Sequence, residues 1–212
     1  MVLLTVRVLI RRTPFYRLTS RFWQAREQKK WNGSEKNGPP PGSLKRQTII
    51  CFLKERPYST MIETGTYLGD TTYVTKDLVD QLYSIELDDY LSRQATKRFA
   101  KDHHVHIVQG SSSKVLPQIL SEAKGPILFW LDAHYSGGAT ARGDKYTPIV
   151  QELDFIRGKA SDGSLILIDD ARLFDGTDDY PTMDIMKKIV ADWFPVHHFE
   201  VKEDIIRIVP AN

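Results

Sequence analysis

The chain has 212 residues, 41% hydrophobic and 26% charged, the composition of an ordinary soluble globular domain large enough for a core of its own. One cysteine, Cys51, excludes an internal disulfide and is compatible with a reducing, cytoplasmic compartment. The net charge of +2 hides a split: residues 1–46 carry eleven Lys/Arg against Glu27 and Glu35, a surplus of nine, so the remainder sums to −7. A basic arm precedes a mildly acidic domain, a division that marks interaction segments.

The arm opens with "MVLLTVRVLI", ten positions interrupted by Arg7, whereas a bilayer span needs about twenty apolar residues. Arg11 and Arg12 follow the apolar run and no small-residue cleavage site appears, so a signal peptide is not expected either. The preferred reading is a helix packed on the domain or on a sister subunit in a homo-oligomer. A membrane-surface helix is the second, because Phe15, Tyr16, Phe22 and Trp23 mix with Arg17, Arg21 and Arg26. No nucleic-acid motif supports the arm, and no such partner is expected. "WNGSEKNGPPPGS", 31–43, reads as a linker. The boundaries are thus an arm with its linker over 1–45 and a folded domain over 46–212.

Within the domain, strand-like and helix-like segments alternate. A helix is predicted over 44–55, a strand at 59–64, "STMIET", and a helix at 70–79. A strand at 81–86, "QLYSIE", precedes a helix at 88–101, and a strand at 104–109, "HVHIVQ", precedes one at 112–122. "PILFWL", 126–131, forms the fourth strand, followed by a helix at 148–158 and a fifth strand, "SLILI", 164–168. A helix at 182–193 leads to a closing pair, "VHHFEV" and "DIIRIV", joined by a tight "KED" corner. Short apolar runs alternating with helices predict a doubly wound, mostly parallel α/β sheet. The closing hairpin should add one antiparallel strand to it.

Ligands of such sheets bind beyond the carboxyl ends of the strands, where the strand order reverses. The five successive strand ends are Glu63-Thr64-Gly65, Glu86, Gly110-Ser111-Ser112, Asp132 and Asp169-Asp170, every one polar or glycine. In "MIETGTYLGDTT", Gly65 and Gly69 permit a sharp turn and a close ligand, although an ordinary strand–turn–helix corner would also use them. Glu86 lies 21 residues after Gly65, close to the spacing at which an acid accepts from ribose hydroxyls. The loop lacks the G-x-G-x-x-G of a dinucleotide site, and Glu63 would repel a pyrophosphate. A cationic cofactor suits it better.

"IETGTYLGD", "YSIELD", "VQGSSSKVLP" and "FWLDAH" resemble, in order, the motifs of class I S-adenosylmethionine-dependent methyltransferases. The "ILIDD" strand end resembles in particular the metal-dependent O-methyltransferases of the macrocin and catechol groups. The resemblance covers about residues 58–210 and implies a seven-stranded Rossmann-like methyltransferase sheet. It implies that Glu63, Thr64, Gly65 and Gly69 flank the methionine part of S-adenosyl-L-methionine, that Glu86 holds the ribose, and that Gly110, Ser111 and Ser112 line the adenine. Asp132 belongs to the same cofactor set. The family pattern has a further glycine where this chain has Tyr67.

The resemblance implies that the fourth and fifth strands are neighbours, with their ends about 5 Å apart, so Asp132, Asp169 and Asp170 should then crowd together. Three carboxylates so placed must share protons, pair with bases or bind a cation, and oxygen-only ligation suits Mg²⁺. Strand-end caps are the alternative. His134, two residues past Asp132, is a candidate base to take an acceptor's proton, or an ordinary loop hydrogen bonder; Asp132 and His134 form the candidate catalytic pair. His103, His104, His106, His197 and His198 read as structural, and no thiolates support a zinc site. The loops 135–148 and 171–181 should set specificity, with Arg142, Lys145 and Arg172 meeting either an anionic acceptor or the nearby acids. The expected activity is O-methylation of a small hydroxylated acceptor, a sugar or secondary metabolite, with Mg²⁺. Aminopropyl transfer on the same fold and a non-catalytic cofactor-binding scaffold are the alternatives.

Overall fold

The computed structural model describes residues 39–133, 147–159 and 163–211, with residues 22, 25–27, 29 and 31 ahead of them. Most of the arm, His134 and most of the glycine-rich loop therefore lie outside the described residues. Helix α1 (Gly42–Glu55) leads into β1 (Thr60–Thr64), α2 (Asp70–Thr75) with a 3₁₀ turn at Lys76–Leu78, and β2 (Gln81–Glu86). Next come α3 (Asp89–Arg98), β3 (Val105–Gln109), α4 (Ser112–Glu122), β4 (Ile127–Leu131), α5 (Ile149–Arg157) and β5 (Leu165–Ile168). A 3₁₀ turn at Ala171–Leu173 precedes α6 (Met183–Trp193), β6 (His197–Lys202) and β7 (Ile205–Pro210). No helix among the described residues is long and apolar enough to cross a membrane.

The seven strands form one sheet in the order β3-β2-β1-β4-β5-β7-β6. All pairs are parallel except those made by β7, which runs antiparallel to both β5 and β6. The closing pair therefore behaves as its pattern predicts. Its two-residue corner puts Glu203 and Asp204 at φ 55° and 62°, the left-handed pair that a two-residue hairpin turn requires.

The apolar runs show no alternation because both faces are covered. Ile127, Phe129 and Leu131 of β4 join a core with Leu116 of α4, Leu153 of α5 and Met186 of α6. Leu128 and Trp130 face the other way, onto Ile49 and Leu53 of α1. Helix α1 thus spans the boundary at residues 45 and 46 and belongs to the folded layer. Helix α3 starts where the Asp88 carboxylate accepts from the Leu91 amide, a regular N-cap. Helix α2 stops at Thr75, short of the predicted 79. Its Thr71, Thr72, Val74 and Thr75 are β-branched, and their restricted χ1 disfavours the helix.

Strand β1 is the switch point, pairing with β2 on one side and β4 on the other. The chain winds away from it in both directions, which opens a crevice beyond the β1 and β4 tips.

Candidate active site

Register sets the first contact. Thr64 pairs with Leu131, so Gly65 and Asp132 emerge side by side. The Asp132 amide donates to the Thr64 carbonyl at 3.0 Å and lies 3.2 Å from Thr64 Oγ1. Gly65 has φ +88°, and a Cβ there would stand 2.5 Å from the Asp132 carbonyl oxygen. The missing side chain lets the two strand tips pass backbone to backbone. Gly69, at φ +70°, is the left-handed N-cap of α2, with the Phe99 ring 2.9 Å from where its Cβ would be.

Tyr67, where the resembled motif has a further glycine, adopts φ 48°. The backbone keeps the left-handed turn that glycine would make and accepts the strain of an L side chain in it. That turn aims the Tyr67 amide at Glu86 Oε2, 2.7 Å away, while the Asp88 amide donates to Glu86 Oε1 at 2.9 Å. Glu86 thus ties the loop after β1 to the loop after β2. The Gly110 amide donates to the Glu86 carbonyl at 2.9 Å, which brings the β3 tip to the same place. Ser111 stands at the N-cap position of α4 without a side-chain cap bond, its hydroxyl paired with that of Ser113, and Ser112 turns inward and is buried.

Beneath this rim sit two buried carboxyls. Glu63, 1% exposed, lies below the glycine loop rather than on its surface. Its Oε2 accepts from Thr72 Oγ1 at 2.5 Å and Ser84 Oγ at 2.6 Å. Burial pushes its pKa up to about 7, against those two hydrogen bonds and with help from the charges of Asp132 and Glu86. Glu152 of α5 is equally buried. Burial raises it to about 7 as well, opposed by hydrogen bonds to Ser112 and Thr64 and reinforced by Asp132. Its Oε1 has no hydrogen-bond partner. Glu152 escaped the sequence reading, although a signal existed: it interrupts the apolar stripe Ile149, Leu153, Ile156 at helical spacing.

The third group is acidic. Asp132, Asp169 and Asp170 each offer a carboxylate oxygen within 4.8 Å of the others. Consecutive residues of a strand point to opposite faces, but Asp170 takes φ 56°, ψ 48°, which breaks that alternation. Its amide donates back to Asp169 Oδ1 at 2.8 Å. Burial, then the charges of Asp132 and Asp170, hold the Asp169 pKa well above the usual carboxylate range, with Lys45 pulling the other way.

Two bases enter the cluster. Lys45 Nζ of α1 lies 2.5 Å from Asp169 Oδ1 and 2.6 Å from Asp170 Oδ1. Burial opposes the Lys45 charge, but the two carboxylates outweigh it and keep its pKa raised. Arg172 Nη1 is 2.7 Å from Asp170 Oδ1 and also pairs with Asp204, so of its two predicted roles it takes the one of neutralising acids. Nothing in the sequence pattern pointed to Lys45, whose partners lie 125 positions away. The Tyr180 hydroxyl is driven up by burial and then by Asp170 and Asp132, against a hydrogen bond from Thr147. Three histidines bond structural acceptors: His104 to the Lys76 carbonyl, His106 to Gln81 Oε1 and His197 to the Ser164 carbonyl.

Strand order, switch point and tip residues together define the class I methyltransferase fold. Among solved structures, the chain is similar to the S-adenosylhomocysteine-bound methyltransferase PaMTH1 of Podospora anserina, with 16% identity, a TM-score of 0.59, and coverage of 94% of this chain and 98% of that one. It is also similar to a putative caffeoyl-CoA O-methyltransferase of Staphylococcus aureus, at 12% identity, TM-score 0.58, and 99% and 100% coverage. A third is the O-methyltransferase TomG of Streptomyces achromogenes, solved with S-adenosylmethionine, at 14% identity, TM-score 0.56 and 89% coverage of both chains. No protein-family model matches the sequence, and no curated protein matches it.

Proposed function

We propose that the protein is an S-adenosylmethionine-dependent O-methyltransferase acting on a small hydroxylated acceptor, a sugar or secondary metabolite, with help from a divalent cation. The observation that carries this reading is the placement of acids along one crevice of a methyltransferase fold: Glu86 at the β2 tip, and Asp132, Asp169 and Asp170 at the β4 and β5 tips. The cofactor is a sulfonium with an ammonium in its tail, and a rim of carboxylates fits that charge. Glu86 is set to accept from the ribose hydroxyls, because its two backbone donors fix the carboxylate plane. Gly65 and the Tyr67 turn open the loop beside Asp132, where the methionine part would lie.

Methyl transfer is an in-line displacement at carbon. The acceptor oxygen forms a bond to the methyl as the bond to sulfur breaks, and the acceptor's proton leaves. The leaving thioether needs no protonation, so the chain has to align the acceptor and provide for that proton. Asp132 is the acid nearest both the cofactor loop and the cluster, and it orients the acceptor there. His134, which lies outside the described residues, is the side chain we assign to receive the proton. All-carboxylate ligation by Asp132, Asp169 and Asp170 fits a hard cation such as Mg²⁺. Burial, and then the charges of Asp132 and Asp170, raise Asp169, which supports a site where added positive charge would be favourable. When bound, such an ion lowers the pKa of an acceptor hydroxyl and fixes its position.

The test is transfer of radiolabelled methyl from S-adenosylmethionine to a panel of hydroxylated acceptors, with and without chelator. We expect label in product, lost on chelation and restored by Mg²⁺. Full activity after thorough chelation would remove the metal from the account, and label transfer by Asp132→Asn at the wild-type rate would remove Asp132.

A further inference from the structure

Lys45 stands in an unusual place for a lysine. On α1 it shares a helical face with Thr48 and Ile49, three and four residues on, and both of these are buried. An apolar side chain would be expected there. Instead the side chain, only 13% exposed, reaches across to the β5 tip, where its ammonium contacts Asp169 and Asp170 together. It also bridges layers of the fold, since α1 packs on one face of the sheet through Ile49 and Leu53. The N-cap Pro41 offers no side-chain cap to the first turn of α1, and the Lys45 pair is a polar tie from that turn to the β5 tip.

We propose that Lys45 is a built-in counter-cation of the acid cluster that competes with a divalent ion for Asp169 and Asp170, so that filling the cluster and seating the start of α1 exclude one another. This rests on the divalent-metal reading of the proposed function. One carboxylate oxygen of each aspartate is engaged by the ammonium, and a metal recruiting those carboxylates must displace it or bear its charge at contact range, where like charges repel strongly. By reciprocity, whatever holds α1 in place weakens the metal, and the metal loosens the first turn of α1. Lys45 is a positioning residue in this scheme.

The test uses Mn²⁺ as the probe, since carboxylate sites accept it, and reads free Mn²⁺ by electron paramagnetic resonance in the full chain without substrate. Lys45→Met should bind Mn²⁺ about tenfold tighter or more than wild type, and Asp132→Asn should lose the ion. Equal affinity in wild type and Lys45→Met overturns the competition while leaving the metal reading intact. Absence of Mn²⁺ binding in every variant, up to millimolar ion, overturns the metal reading and this inference with it. Retention of binding in Asp132→Asn places the ion outside the cluster and also overturns it. Should Lys45→Met fail to fold, wild type alone decides: Mn²⁺ must speed amide hydrogen exchange over residues 43–48, and unchanged exchange there contradicts the proposal.

Discussion

Gly65 and Tyr67 sit two residues apart in the same loop and carry opposite demands. Gly65 needs both a positive φ and an empty Cβ position, because the Asp132 carbonyl occupies the space. Tyr67 needs only the positive φ, and its side chain is 38% exposed. Gly65→Ala should therefore cost more than about 2 kcal/mol, while Tyr67→Gly should change stability by less than about 1 kcal/mol; urea denaturation of both checks the contrast. The acids give a second test. Glu63 and Glu152 are raised from 4.5 to about 7 in the fold, so the native state keeps protons that the unfolded chain has lost. Stability should fall as pH rises from about 4.5 to 7 and level off above, by on the order of 3 kcal/mol for each group. Glu63→Gln, which keeps an acceptor for Thr72 and Ser84, should flatten that slope by about one proton in denaturation curves taken across the window. The strand-end acids were legible from sequence because a strand's end can be counted. Burial of Glu63 was not, since it depends on Thr72 and Ser84 arriving from two other elements.

At the scale of elements, the sequence reading worked where a segment's pattern is its own. Strand β2 and helix α4 begin and end where their apolar spacing predicts, and the other strands shift by a residue. Two features departed from the pattern. One is the early end of α2, where local β-branching overrode a plausible helix. The other is the role of α1, a helix the pattern predicts from 44: it begins at Gly42 and brings Lys45, on the arm side of the expected boundary, to the β5 tip. The closing hairpin makes the strongest prediction here. Strand β7 lies between β5 and β6, and its Ile206 and Ile208 are fully buried against the α4–α6 side of the sheet. Ile208→Ala should cost about 2–5 kcal/mol in thermal or chemical unfolding. Deleting residues 196–212 should abolish cooperative unfolding, because it strips β5 of its antiparallel partner β7 and opens the core.

For the whole molecule, the decisive property is convergence. Five strand tips separated by up to 107 positions in sequence, from Glu63 to Asp170, meet along one edge because parallel crossovers return each strand in the same direction. That edge carries Glu86, Asp132, Asp169 and Asp170, the last two paired with Lys45 and Arg172, above the buried carboxyls of Glu63 and Glu152; under the proposed function this acidic rim receives a sulfonium and a divalent ion rather than a pyrophosphate. The measurement that bears most directly on this is calorimetric titration of folded, cofactor-free protein with S-adenosylhomocysteine. The account predicts one site per chain, with affinity reduced about a hundredfold by Glu86→Ala, the loss expected when charge-assisted hydrogen bonds to the ribose are removed. No heat of binding to the wild-type protein, or undiminished affinity in Glu86→Ala, would contradict it.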